Sequence, residues 1–208
     1  MIERRLPTDD EELRLHEAGY RLVAGLDEAG RGALAGPVVA AAVILPRRVR
    51  IDGVRDSKLV PEGERELLCQ SIIDQALAWG VGLVDNRVID HINILQATFQ
   101  AMRQAVAALS ITPDFVLIDG RDAVDVGSPC RALVGGDRTS RAIAAASIIA
   151  KVARDKFMRD LHHEYPLYTF NRNKGYGTPR HRQAIQAYGP SPVHRVSFLG
   201  RVMQLRLL

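Results

Sequence analysis

Residues 21–46 read RLVAGLDEAGRGALAGPVVAAAVILP. Two runs inside this stretch, RLVAGLDE (21–28) and GPVVAAAVILP (36–46), are rich in β-branched and small apolar residues, with a glycine-containing loop between them. Such runs predict two strands. The connection is too short for a crossover helix, so the strands should pair antiparallel. Further along, GVGLVD (80–85), DFVLIDG (114–120) and CRALVGGD (130–137) read as strands, with helical patterns over 61–80, 85–109 and 140–165. Leu95, Phe99, Met102, Val106 and Leu109 form an apolar stripe on the second helix. Thr139 or Ser140 is placed to cap the third. Strands alternating with helices predict an α/β domain built on a mixed β-sheet flanked by helices. Beyond residue 165 come the loop PLYTFNRNKGYGTPRH, a short helix to Tyr188 and a basic tail. The expected division is a main domain over 1–165 and a C-terminal helical extension over 166–208.

A chain of 208 residues, 47% hydrophobic and 25% charged, can bury a core without disulfides. Cys69 and Cys130 lie far apart and outside any CxxC spacing, which points to small apolar residues in a reducing compartment. The first twenty residues are charged throughout and lack the apolar centre of a signal peptide. The longest apolar run, 33–45, is too short for a bilayer and holds Gly36 and Pro37. The expected location is the cytoplasm, without membrane contact. Net charge is +4, yet from Arg131 onward there are 14 Lys and Arg against 4 Asp and Glu. A basic face for a polyanion is one reading of that excess, and an arginine-rich surface without a partner is the other.

Asp27 with Glu28, Asp119 and Asp137 each stand where a strand ends. Neighbouring strand ends in an α/β sheet lie close together, and ligands gather there. Carboxylates so gathered repel one another unless cations neutralise them. Oxygen-only clusters suit Mg²⁺ or Mn²⁺, and two such ions about 3.5–4 Å apart can activate water against a phosphodiester. Each acid also has a plainer reading. Asp119-Gly120 alone makes a turn, and Asp137 alone caps a helix. The adjacent pair within an apolar run is costly unless compensated. Gly30 and Gly32 allow a close backbone approach to a ligand, and Arg31 can make a forked phosphate contact. In NRNKGYGTPRH, Arg172, Lys174 and Arg180 could meet phosphates while Tyr176 offers a ring to stack, although a solvated loop has the same composition.

Taken in order, DEAGRG (27–32), LIDG (117–120), GD (136–137) ahead of AAASIIAKVARD (144–155), and NKGYGT (173–178) resemble bacterial ribonuclease HII, the type 2 ribonuclease H. The likeness runs from about residue 21 to VHRVSF (193–198). It implies a ribonuclease H-like fold whose C-terminal helical extension closes over an RNA–DNA hybrid. It further implies that Asp27, Glu28, Asp119 and Asp137 are catalytic and hold two divalent ions, Mn²⁺ or Mg²⁺. By the same likeness Gly30, Arg31 and Gly32 sense a 2′-hydroxyl, Tyr176 stacks on the adjoining sugar, and Ser57, Lys58 and Lys174 touch substrate. The implied activity is endonucleolytic cleavage of RNA in hybrids and incision 5′ of single ribonucleotides in duplex DNA. That leaves 5′-phosphate and 3′-hydroxyl ends, as DNA repair and primer removal require. A monomer is expected. The C-terminal GRVMQLRLL carries no clear motif for a replication clamp. Gly135 and Asn173 replace the family's frequent Lys and His, and Leu59 follows Lys58 where a second lysine is usual. Asp155 and Lys151 are assigned structural roles, or roles supporting the site residues from behind. The alternatives are a junction resolvase, a type 3 enzyme (for which the acid pair at 27 leaves no room for an extra N-terminal domain) and a non-catalytic hybrid-binding protein.

Overall fold

The computed structural model describes residues 7–49, 51–55, 57, 60–200 and 202. Lys58, Leu59 and most of the C-terminal segment considered for a clamp contact lie outside them. Five strands form one sheet in the order β3-β2-β1-β4-β5. They are β1 (Val23–Ala29), β2 (Val38–Ile44), β3 (Ala78–Val84), β4 (Phe115–Asp119) and β5 (Cys130–Leu133). The expected antiparallel pair holds, with Ala29 opposite Val39 beside the connecting loop. β3 joins β2 antiparallel, whereas β4 runs parallel to β1 and β5 parallel to β4. The carboxyl ends of β1, β4 and β5 therefore share one sheet edge, and three of the four acidic positions are carried there by topology.

Helices α1 (Asp10–Glu17), α2 (Glu62–Gln75), α3 (Asn86–Ala107), α4 (Arg141–Glu164), α5 (Phe170–Asn173) and α6 (Pro179–Tyr188) surround the sheet. α3 packs on one face through Ala97, Ala101 and Ala105, and α4 on the other through Ala144 to Ala146, Ile148 and Ile149. Small residues on both sides of these contacts let backbones meet. A Cβ at Gly25 would stand 2.1 Å from the Ala142 carbonyl carbon, and one at Gly82 would stand 2.0 Å from the Ala101 oxygen. Those glycines are required by proximity, not by backbone twist.

Several expectations change. The helix read over 61–80 stops at Gln75, and Ala78 already belongs to β3. Gly80 and Gly82 are needed against α3, and a strand supplies that closeness. α3 is broken at Asn93, where φ is 67°, and the Asn93 Oδ1 restarts it by accepting from the amides of Leu95 and Gln96. Met102 and Val106 of the apolar stripe are buried, and the rest of the buried face is Ile89, Thr98, Ala97, Ala101 and Ala105. α1 was not foreseen in so charged a segment. Its Glu12 is buried and accepts from Ser140 Oγ at 2.7 Å and Ala142 N at 2.8 Å, which docks α1 on the start of α4. Ser140 is the cap of α4, accepting from Ile143 N. Both cysteines are free thiols. Among the described residues no helix is long and apolar enough to cross a membrane.

Beyond α4, Tyr168, Phe170, Ile185 and Leu199 build a separate apolar cluster on Leu34, Ala35 and Met158. Two histidines are buried in its midst. His194 Nδ1 accepts from Ser191 N at 2.9 Å, so its proton sits on Nε2. That Nε2 lies 3.0 Å from His181 Nε2, and His181 Nδ1 lies 2.9 Å from the Tyr176 carbonyl. Only one arrangement satisfies every group: His194 donates to His181, and His181 donates to Tyr176, with both rings neutral. Burial first, and then His181, push His194 down to about 4.

Two outcomes are expected. Gly25→Ala should destabilise the protein by about 3 kcal/mol or soften its cooperativity, because two backbones would have to separate; chemical denaturation checks this. The unfolded His194 takes up its proton near pH 6.5 and the folded one only near 4, so its contribution is complete above pH 6.5 and disappears as pH falls towards 4. Between those limits the parent should lose about 2–3 kcal/mol more than His194→Gln, and parallel stability curves would refute the neutral pair.

Candidate active site and nucleic-acid interface

The turn after β1 opens a cleft of about 260 Å³. Asp27, Glu28, Gly30, Arg31, Gly32, Ser57 and Tyr176 line it, so most of the predicted site residues meet although they come from three separate parts of the chain. Lys151, from α4, joins them. Its ammonium bonds Asp155 at 2.5 Å and stands 5.8 Å from the Tyr176 ring centre. The sequence reading gave it a structural role or one supporting the site residues. Its half-buried position at the cleft is a matter of helix facing.

Asp27 is buried at the end of β1, and its Oδ1 accepts from the Glu28 amide at 2.6 Å. Burial holds its carboxyl well above the usual carboxylate range, and the charges of Glu28, Asp119 and Asp137 push it further the same way. The four acids are therefore within electrostatic reach around Asp27. Each also has another engagement. Asp119 Oδ1 accepts from Gly136 N at 2.7 Å, Glu28 pairs with Arg31 at 3.2 Å, and Asp137 lies 3.8 Å from Arg138 Nε. Among the described residues no three His, Cys, Asp or Glu side chains are grouped closely enough to hold one ion. The donor set nevertheless fits a hard cation: its atoms are oxygens, and a positive charge would relieve the repulsion that raises Asp27.

The path into Asp137 runs through Gly135, one of the departures from the resembled family. Gly135 is left-handed, at φ 68°, and turns the chain from β5 into the short 3-10 turn Gly136–Arg138. A lysine at 135 would be strained there. Asn173 is buried, donating to the Tyr168 carbonyl at 2.6 Å and accepting from Gly175 N at 2.8 Å, so it shapes the turn before Tyr176. Lys174 does not line the cleft. It is buried, with Nζ 2.9 Å from Glu62 and 2.5 Å from the Asn171 carbonyl. Arg172 and Arg180 are exposed.

The tyrosine ring is backed by the Arg154 guanidinium, 5.2 Å from its centre. Ser57, 6% exposed, is fixed by its backbone, with its carbonyl accepting from Arg65 Nε at 2.9 Å. Arg65 also bonds Val60 O and Asp155, and thus ties Ser57 and Val60 to α4. Neither Arg65 nor Arg154 was marked as a site residue. Arginines in helical patterns read as surface charge, and nothing in their spacing reveals burial.

Comparison with known proteins agrees with this arrangement. A family model described as ribonuclease HII matches residues 24–200. A ribonuclease HII of Caldicellulosiruptor bescii is 50% identical over 194 residues, covering 93% of this chain and 94% of the relative. The ribonuclease H2 of Pyrococcus horikoshii superposes with a TM-score of 0.72 at 28% identity, covering 89% of this chain and 98% of that one. The ribonuclease HII solved with PCNA from Archaeoglobus fulgidus gives 0.73 at 26% identity, covering 84% and 94%. The fold is ribonuclease H-like, a mixed five-stranded sheet flanked by helices. The chain belongs to the ribonuclease HII family and is a ribonuclease H.

Proposed function

We propose that this enzyme hydrolyses the RNA strand of RNA–DNA hybrids and incises duplex DNA on the 5′ side of a single embedded ribonucleotide, leaving 5′-phosphate and 3′-hydroxyl ends. The observation that carries the reading is the shared cleft, in which buried Asp27, half-buried Glu28, the 30–32 loop and the Tyr176 ring face one volume. The acids are suited to phosphodiester hydrolysis and the loop to the inspection of a sugar. Asp27, Glu28, Asp119 and Asp137 would hold Mg²⁺ or Mn²⁺, which when bound supplies an activated water and charge for the departing oxygen. The chain's own residues do the selecting. Among the described residues, the amides of Arg31 and Gly32 donate to no backbone carbonyl, which leaves them for a ligand at the cleft. A 2′-hydroxyl is the group that distinguishes RNA from DNA at one site, and backbone amides can bond it without reading the base. Tyr176, backed by Arg154 and Lys151, offers a ring to the neighbouring sugar. The described residues from 166 to 200 carry this ring, and act as the substrate-binding extension.

The test is a cut-site map on duplex DNA holding one ribonucleotide, with Mg²⁺ or Mn²⁺ added. One incision 5′ of the ribonucleotide is expected, and cleavage of a four-way junction instead would refute the reading. Asp119→Asn should lower kcat by at least on the order of a hundredfold while substrate affinity stays within a few-fold, since it removes charge from the acids and not from the basic face. Unchanged turnover would end its role as a ligand. Tyr176→Ala should reduce kcat/KM at a single ribonucleotide more than on a long hybrid, by roughly tenfold for one lost stack. Equal losses on both substrates would exclude a junction-sensing ring.

A further inference from the structure

Arg154 and Arg195 are both fully buried and both donate to main-chain carbonyls, with Arg195 Nη2 left without a hydrogen-bond partner among the described residues. Arg154 donates from Nε to Pro37 O at 2.9 Å, from Nη1 to Lys174 O at 2.9 Å and from Nη2 to Ala35 O at 3.2 Å. Arg195 donates from Nε to Gly36 O and from Nη1 to Arg31 O, both at 2.9 Å. Its own amide bonds Leu34 O at 2.8 Å. The loop that follows Gly30 is thus gripped by its carbonyls from α4 on one side and from the C-terminal extension on the other.

Gly30 completes the grip. Its φ is +96°, and a Cβ there would lie 1.9 Å from Arg154 Nε, so the loop rests directly on the guanidinium. Gly32, by contrast, has nothing within 4 Å of its Cβ position. The two glycines of the Gly-Arg-Gly serve different ends: the first admits Arg154 beneath the loop, and the second leaves the cleft side bare. The sequence alone had given both to ligand approach.

We infer that Arg154 and Arg195 are positioning residues for ribose recognition: by holding the carbonyls of Arg31, Ala35, Gly36 and Pro37 they fix the 30–32 backbone with the Arg31 and Gly32 amides unspent, and Arg154 seats Tyr176 on the same support. This inference rests on the proposed reading of the 30–32 loop as a ribose probe. A donor fixed before binding costs no ordering when it meets its acceptor. A loop held only by its ends would have to be ordered by the substrate, and a DNA sugar would be refused less sharply. Lysine at either position keeps the charge but cannot bond two or three carbonyls in fixed directions.

The experiment compares the parent with Arg154→Lys and Arg195→Lys. Equilibrium binding is measured by fluorescence anisotropy, without divalent metal, to duplex DNA with one ribonucleotide and to the same duplex made wholly of DNA. The parent should prefer the ribonucleotide by roughly tenfold, the value of one or two hydrogen bonds. In each lysine variant that ratio should fall towards one, with affinity for the all-DNA duplex held within twofold. Variants with a lower melting temperature but an unchanged ratio would reduce both arginines to structural staples and overturn the inference. A parent with no preference would overturn both the inference and the ribose reading beneath it, so the two failures are distinguishable. Should the variants not fold, Nε–H exchange in the ¹⁵N-labelled parent decides: slow exchange at Arg154 and Arg195 is expected, and exchange as fast as that of exposed Arg172 overturns the inference.

Discussion

A guanidinium removed from water is tolerated only when its donors find acceptors. Arg154, at the middle of α4, finds three: the carbonyls of Ala35 and Pro37 after the first strand, and that of Lys174 in the C-terminal extension. Its hydrogen bonds join α4, the loop after the first strand and the C-terminal segment through one side chain. Displacing any of the three would strand a buried charge, which costs several kcal/mol. The extension therefore does not rest on the sheet domain as a loosely tethered flap. Its first turn and the loop beside the acids are bonded to one side chain, and the separate apolar cluster under Tyr168 and Phe170 adds weight to a position already fixed by hydrogen bonds.

The same economy operates with opposite sign on the other wall of the cleft. Parallel pairing of β1, β4 and β5 delivers acids to one sheet edge whether or not a counter-charge is present. Folding thus raises Asp27 by burial and by the neighbouring carboxylates, an expense that sequence-wide hydrophobic order would avoid. Such local conflict is found where a ligand resolves it. Asp119 and Asp137 meet it partly within the chain, through the Gly136 amide and the nearby Arg138. The protein carries a site under electrostatic tension next to a loop under none, since the loop's carbonyls are satisfied. That contrast suits a division between chemistry and recognition.

How far the sequence revealed this depends on the kind of signal. Strand pairing was legible because residues 21–46 leave no length for a crossover, and the acids drew notice only together, at three strand ends, since each alone has a plainer reading. The meeting of the 27–32 segment, Ser57 and Tyr176 followed from the ordered motifs. What escaped has a common cause. The break at Asn93, the burial of Lys174 against Glu62, and the turning of Lys151 to the cleft are decisions about side-chain direction and backbone sign, which residue type leaves open. Gly30 shows the limit most clearly: the need for glycine could be read, but its cause lay 124 residues along the chain at Arg154.

The charge count illustrates the same point quantitatively. Fourteen basic residues from Arg131 onward suggested a broad polyanion face. Much of that charge is consumed within the fold. Arg154 and Arg195 bond carbonyls, Lys151 and Lys174 meet Asp155 and Glu62, Arg159 bridges Glu62 and Glu66, and Arg131 and Arg141 meet Glu11 and Asp9. The cations left exposed near the acids and the tyrosine loop are chiefly Arg138, Arg172, Arg180 and Arg182. Phosphate contacts release counterions one by one, so the salt dependence of binding follows the exposed number and not the total. Seven of the fourteen basic residues are thus engaged within the fold. Phosphate contacts position a nucleic acid without reading its sequence, so on the function proposed above discrimination would fall to the residues lining the cleft.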